Sequence, residues 1–435
     1  MDASWGQERR DMRRRTQQTI YGFAWFGLIA RAAPLKQGHF KKPNPFPLTA
    51  VLLAIFLLLT TFDGSAQFTF LNVGHVVTNA TAYANDVALA GNYAYVSYEP
   101  YGLLIYNVSN PSKPFFVRGV NNGGSAEGLV VSGHYVYLAN YTDGLRVYDI
   151  SNPTNAVNIS HINNGGLAWN VALASNVLYL ANGSDGLRVY DVSNPTNIAN
   201  IGHTNNGGTA YNIAVSGNRA FLASSDGLRT YDISVPTNVV NLGHTNDGIA
   251  NGVAVSGNYA FVLHEATSGL VIYDVSDPAN PRKIGQVAGA GTYPFFHGVV
   301  VSNAFVYTTL NHGLHIFDVS DPANPVDVGH TNVSTSIYDP SSWTLSGNYS
   351  YVANQTDSLR IYSLAGPRLQ INPTTTNTLL VSWPSNSLPF SLLQNSNLIT
   401  GNWTPVSAPG IVTNGQNQVI VSPSANGQFY RLRLP

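Results

Sequence analysis

The groups able to do chemistry in this chain divide into those that return at a fixed interval and those that do not. Aspartates recur at 149, 191, 232, 274 and 318, and histidines at 75, 161, 203, 244 and 330. A residue needed that often serves the backbone. The aspartate is suited to accept an N–H in an Asx turn before Ser-x-Pro, and the histidine to make one edge hydrogen bond. Asp143, Asp185 and Asp226 precede turn glycines, but no Asp-x-Asp-x-Asp-Gly calcium loop occurs. Gly-x-Ser-x-Gly, His-Glu-x-x-His, P-loop and dinucleotide signatures are also missing. With no cysteine, thiolate chemistry and disulfides are excluded.

The informative positions vary while their surroundings repeat. Asn85, Glu127, Trp169, Tyr211, Asn251, His297 and Ser341 occupy one such position, mostly just after an alanine. Acid, amide, imidazole and aromatic groups around one concavity are what a ligand site requires. Nearby segments break the pattern: 264–268, 289–296 and Asn311-His312. A metal site in those loops would draw on His264, Glu265, His297 and His312, a donor set suited to zinc. Glycoside hydrolysis needs two carboxylates flanking one bond. The non-repeated glutamates Glu99, Glu127 and Glu265 are the candidates, and nothing in the sequence pairs them. No catalytic residue is assigned, and no cofactor is expected.

The elements that position these residues follow from the repeat. Aromatic residues at 106, 148, 190, 231, 273, 317 and 362 are spaced by 42, 42, 41, 42, 44 and 45 residues. Each unit holds four strand-like runs separated by Ser-Gly-Asn, Asp-Gly and Asn-Pro punctuation, the pattern of a propeller blade. A Val-Gly-His motif at 73–75 precedes the first full unit, and the last unit lacks one. Residues 70–76 are therefore expected to pair with 359–362 and complete a seventh blade. The fold class is all-β: a seven-bladed β-propeller followed by a small β-rich C-terminal module. In such a ring the variable positions would surround the mouth of the central channel.

Two segments carry a resemblance. Leu-Arg-Val-Tyr-Asp-Ile-Ser-Asn-Pro at 145–153 and Leu-Val-Ile-Tyr-Asp-Val-Ser-Asp-Pro at 270–278 resemble the LVIVD repeat of extracytoplasmic β-propellers. The resemblance spans 70–364 and implies a fold and a compartment, with little about chemistry.

The flanks divide the rest. Lys41 and Lys42, an apolar run at 48–59, and small residues at 64 and 66 read as a secretory signal within an N-terminal extension, 1–66. The apolar run is shorter than the ~20 residues that span a bilayer, so the membrane enters only if that signal stays uncleaved. The propeller occupies 67–366. Residues 367–435 form a β-sandwich-like module, for sorting or, through Trp383 and Trp403, for carbohydrate. Net charge is −1 and the only arginine-rich run, 9–15, precedes the fold, so nucleic acid is not an expected partner. The expectation is a secreted or cell-surface scaffold that binds an extracellular protein or glycan at the channel mouth. The alternative is an extracytoplasmic hydrolase or lyase acting in that mouth.

Overall fold

The computed structural model describes residues 68–77, 82–121, 123–205, 207–265, 269–288, 298–310, 313–331, 340–355, 357–365, 370–376, 378–384, 391–395, 403–413, 416–422 and 429–433. The extension 1–66, with its expected signal segment and the apolar run at 48–59, lies outside them, as do His297 and His312. Among the described residues no helix is long and apolar enough to cross a membrane.

Each repeat folds into one antiparallel sheet of four strands, paired in chain order. Blade one is Tyr83–Ala90, Tyr93–Glu99, Gly102–Asn107 and Phe115–Val120. The innermost strands of the next five blades are Leu129–Ser132, Asn170–Ala174, Ala210–Ser216, Ala250–Ser256 and Val299–Ser302. Blade seven differs: Ser342–Ser346, Tyr349–Ala353 and Leu359–Ala365 come from the end of the repeat array, and its outer strand is Thr69–Val76 from the beginning. Thr69 pairs with Ala365 and Val76 with Leu359 across that seam.

The innermost strands neighbour one another in sequence, and Ser342–Ser346 returns to lie against Tyr83–Ala90. Seven apolar clusters follow the same circuit, each spanning one blade junction. The ring is therefore closed by packing as well as by the shared sheet. The described residues make a seven-bladed β-propeller.

Local chemistry explains the regularity. The first hairpin of a blade turns through glycine at +55° or +56° in φ, as at Gly91, Gly133, Gly217, Gly257 and Gly347. Ser175 and Asn303 hold the same left-handed backbone without glycine, at φ of 54°. The repeated aspartates do accept the expected N–H: Asp149, Asp191, Asp232 and Asp318 receive it at 2.8 Å and Asp274 at 3.0 Å from the serine two residues on. Those backbone bonds hold the Asp149, Asp191 and Asp232 carboxyls below the usual range. His161, His203 and His244 bond the Asp143, Asp185 and Asp226 carbonyl oxygens at 2.6, 2.7 and 3.1 Å. The aspartates of those turns also clamp Arg146, Arg188 and Arg229.

The C-terminal residues form two further sheets. One takes the order Gln370–Pro373, Leu379–Pro384, Gln416–Val421, Gly410–Thr413, and the other Thr404–Pro405, Ser391–Asn395, Phe429–Arg433. Val381, Trp383, Leu392, Val419 and Val421 are the core between them. Trp383 is 5% exposed. It is a core residue, which removes it from the carbohydrate-platform reading of this module.

Candidate functional site at the ring's centre

The alanines before the variable positions have a structural task. Ala84, Ala168 and Ala210 are buried and each bonds a backbone group of the preceding blade, through Gln355, Tyr141 and Gly183. In blades one, four and five the register shifts directly after the alanine, so Asn85, Tyr211 and Asn251 are bulge residues released from the ladder. A bulge re-aims a side chain, and bulges are common beside functional sites. Glu127, Trp169 and Ser341 hold the same station, donating their N–H to Ala139, Ala181 and Ala353.

Asn85 meets Glu127 and Trp169 meets Tyr211 across blade boundaries, while Asn251 finds its partner within blade five. The Asn85 amide donates to the Ala126 carbonyl at 2.7 Å and to Glu127 Oε2 at 3.3 Å. The Trp169 indole packs edge-on against Tyr211, with centroids 6.0 Å apart. The Asn251 amide donates to Glu265 Oε1 at 3.1 Å. Burial pushes the Tyr211 phenol up, and the Glu265 charge adds to the effect. The variable set therefore makes one amide–acid pair and one aromatic pair between blades, and Asn251 makes a second amide–acid pair with Glu265 of its own blade.

Two participants escaped sequence reasoning. Tyr141 stacks edge-on against Trp169 at 4.9 Å. It has a φ of +51°, where the sister position in blade three is Gly183 at +62°. The left-handed backbone costs a side chain about 1–2 kcal/mol, and such strain gathers at working sites. The other is Asp86. One residue past the variable position, the other blades carry Gly128, Asn170, Asn212, Gly252, Gly298 and Ser342. A Cβ on Gly128 would lie 2.8 Å from the Asn170 Cα and 2.9 Å from the Trp169 carbonyl oxygen, so crowding favours small residues there. Asp86 accepts N–H bonds from Val87 at 2.8 Å and from Leu129 of the next blade at 2.9 Å. Asn212 accepts from Val253 in the same manner. A signal was present: Asp86 is the only acid in its column.

Burial pushes the Asp86 carboxyl above its ordinary range, against its bonds from Leu129, Ser342 and Val87. A raised pKa means that the folded chain holds more protons than the unfolded one at mildly acidic pH. Stability then falls as pH rises from 3.8 through the folded value. Asp86→Asn removes the charge but keeps one of the two acceptor oxygens, so its amide NH2 would face one of the two N–H donors. The expected result is a flatter dependence of melting temperature on pH above 3.8, read by calorimetry across pH. A variant with the parent's slope would contradict it.

Of the residues grouped in sequence as a metal set, the two described ones turn to different partners. His264 is buried and its Nε2 meets the Tyr273 hydroxyl at 2.9 Å, while Glu265 turns to Asn251. Burial lowers the His264 pKa, which keeps the ring neutral within the blade. His297 and His312 lie outside the described residues.

A ring of seven four-stranded sheets around a closed set of innermost strands places this chain among the β-propellers. The comparisons with known proteins agree. The computationally designed Ika8 protein covers 69% of this chain and 100% of its own at 9% identity, with a TM-score of 0.50. The Cps50 (Swd1) β-propeller domain from Myceliophteria thermophila covers 68% and 100% at 11% identity, with a TM-score of 0.53. The WD40 β-propeller domain of Doa1 covers 68% and 96% at 10% identity, also at 0.53. At these identities the likeness is one of fold alone. No curated protein matches the chain. The LVIVD repeat matches at 82–122, 123–163, 165–205, 207–246, 247–288, 297–333 and 340–361. The chain belongs to the LVIVD-repeat family.

Proposed function

We propose that the chain is an extracytoplasmic binding scaffold whose ligand, a protein segment or a glycan, docks on the ring face bearing the variable residues. The observation that carries this reading is the contact of the half-buried Tyr141 and Tyr211 with a buried Trp169, on the same station of the ring as the Asn85–Glu127 pair and Asn251. Aromatic faces provide large contact area at low entropic cost, and flanking amides and acids fix orientation. The scaffold's repeated polar groups are occupied with turns and clamps, which leaves this irregular set to discriminate between ligands. Secretion is part of the proposal and rests on the signal-like segment within 1–66.

A panel of neutral oligosaccharides and extended peptides, titrated into the protein by calorimetry, tests it. Ligands found in this way should bind at least about tenfold more weakly to Tyr211→Ala and Tyr141→Ala, and equally well to Val235→Thr, a change in the exposed Val235-Pro236 loop. Ligands indifferent to both tyrosine changes would overturn the assignment of the face. Hydrolysis of a panel member that is abolished by Glu127→Gln with binding intact would replace the scaffold reading by the hydrolase one. Asp86, whose carboxyl is pushed up by burial one residue past the variable position of its blade, is the feature that gives that second reading its interest.

A further inference from the structure

Blade six rewrites a cluster that its sister blades share. In blades two, three and four the third strand carries Arg146, Arg188 and Arg229, and the fourth carries Asn158, Asn200 and Asn241, then His161, His203 and His244. Arg146 bonds Asp143 and reaches Asn158, and His161 bonds the Asp143 carbonyl oxygen. In blade six the corresponding residues are His315, Asp327 and His330. A cation has become an imidazole and an amide has become a carboxylate, and the turn aspartate is replaced in sequence by His312. The ladder brings the changes together: His315 pairs with His330, and after a bulge Phe317 pairs with Asp327.

The local geometry departs accordingly. His315 Nδ1 lies 2.8 Å from Asp327 Oδ2, and His330 Nδ1 lies 3.3 Å from Asp327 Oδ1. The two imidazoles stack with centroids 5.4 Å apart. One donor atom from each of the three side chains falls within 4.8 Å of the others. The Gly329 N–H, 3.0 Å from Asp327 Oδ1, fixes the carboxylate from behind. Burial opposes ionisation of Asp327, but the His315 hydrogen bond and the two imidazoles outweigh it and hold the carboxyl below its usual range.

We propose that His315, Asp327 and His330 bind one divalent transition-metal ion of the zinc type, with its remaining positions open to water. Two imidazole nitrogens and one carboxylate oxygen form a borderline donor set, which suits zinc, cobalt or nickel and disfavours calcium and magnesium. Metal–donor bonds of about 2.0–2.2 Å require the three donors to close by roughly an ångström, and the metal takes the place of the proton held between His315 and Asp327. The side chains have freedom to do so: His330 and Asp327 are 41% and 33% exposed, while His315, at 14%, anchors the group. This site lies on the third and fourth strands of its blade, apart from the innermost-strand residues described above.

The test uses replacements that the protein already tolerates at sister positions. Zinc sulfate is titrated calorimetrically, and cobalt chloride by its visible d–d absorption, into the metal-free full chain. One equivalent should bind, and His315→Arg and Asp327→Asn should each weaken it by at least about tenfold, since even outer partners of a ligand carry 10–100-fold. Thermal melts of both variants without metal should match the parent, showing that the blade is intact. Absence of binding at millimolar zinc would overturn the site. So would binding that survives both replacements and is lost in His297→Ala/His312→Ala, which would move the metal to the loops.

Discussion

Removal of residues 67–76 is expected to cost the ring most of its stability, at least about 5 kcal/mol. The deleted strand contributes the ladder with Leu359–Ala365 and also reaches blade six. The Phe68 N–H donates to the Val328 carbonyl at 2.8 Å, and its ring packs edge-on against Phe305 at 5.5 Å. Phe70 packs against Trp343 and Tyr362. His75 is bonded to Asp357 at 2.6 Å, on the far side of the seam. Each aromatic side chain is worth about 1.5–3 kcal/mol in burial, and a typical domain has only about 5–15 kcal/mol in total. The deletion also exposes the unpaired edge of Leu359–Ala365, so aggregation should accompany the loss. Chemical denaturation followed by far-UV circular dichroism would measure the effect. A truncated chain with the parent's midpoint and cooperativity would mean that the seam is not needed.

Trp343→Ala should destabilise the propeller by about 3–5 kcal/mol. Trp343 is 2% exposed and heads the fully buried side chains of the molecule's described residues. It stands against Tyr307 of blade six at 5.5 Å and against Phe70 of the closing strand at 6.1 Å, so its loss leaves a cavity where three chain segments meet. Its indole Nε1 has no hydrogen-bond partner among the described residues. Trp343→Phe discards that orphan donor together with part of the volume, and should therefore cost well under half as much. Equal losses for the two variants in denaturant titration would show that volume is not what the residue supplies.

The fold was legible because blade geometry depends on local groups that recur: the hairpin glycines, the Asx-turn aspartates and the strand-forming runs. Each works within a few residues of itself, so a period of about 42 carries it. The family resemblance read from Asp-Val-Ser-Asp-Pro agreed with the seven matched repeats. The candidate site was legible only in part. Asn85, Glu127, Trp169, Tyr211 and Asn251 stood out by varying, yet variation did not say who meets whom. Asp86 was hidden since its partners, Leu129 and Ser342, belong to the two flanking blades. His264 faces Tyr273 rather than its neighbour Glu265, and strand alternation next to a loop of unusual length could not be counted. The trio on blade six depends on a bulge between Ile316 and Phe317 that shifts Asp327 into line, and sequence spacing alone does not show it.

The seam also orders events in time. His75 and Asp357 are 282 residues apart, and both must be present before the circle can shut. During synthesis the ring's own first strand is the last to find its partner, while six sheets of consecutive hairpins assemble as they emerge. Local pairing is fast and long-range closure slow, because the entropy of a long loop must be overcome before any contact compensates it. The growing protein therefore passes through an open arc with one orphan strand at its leading end and one naked edge at its trailing end. That arc is the species a holdase would need to shield, and its lifetime sets how fast the finished circle appears.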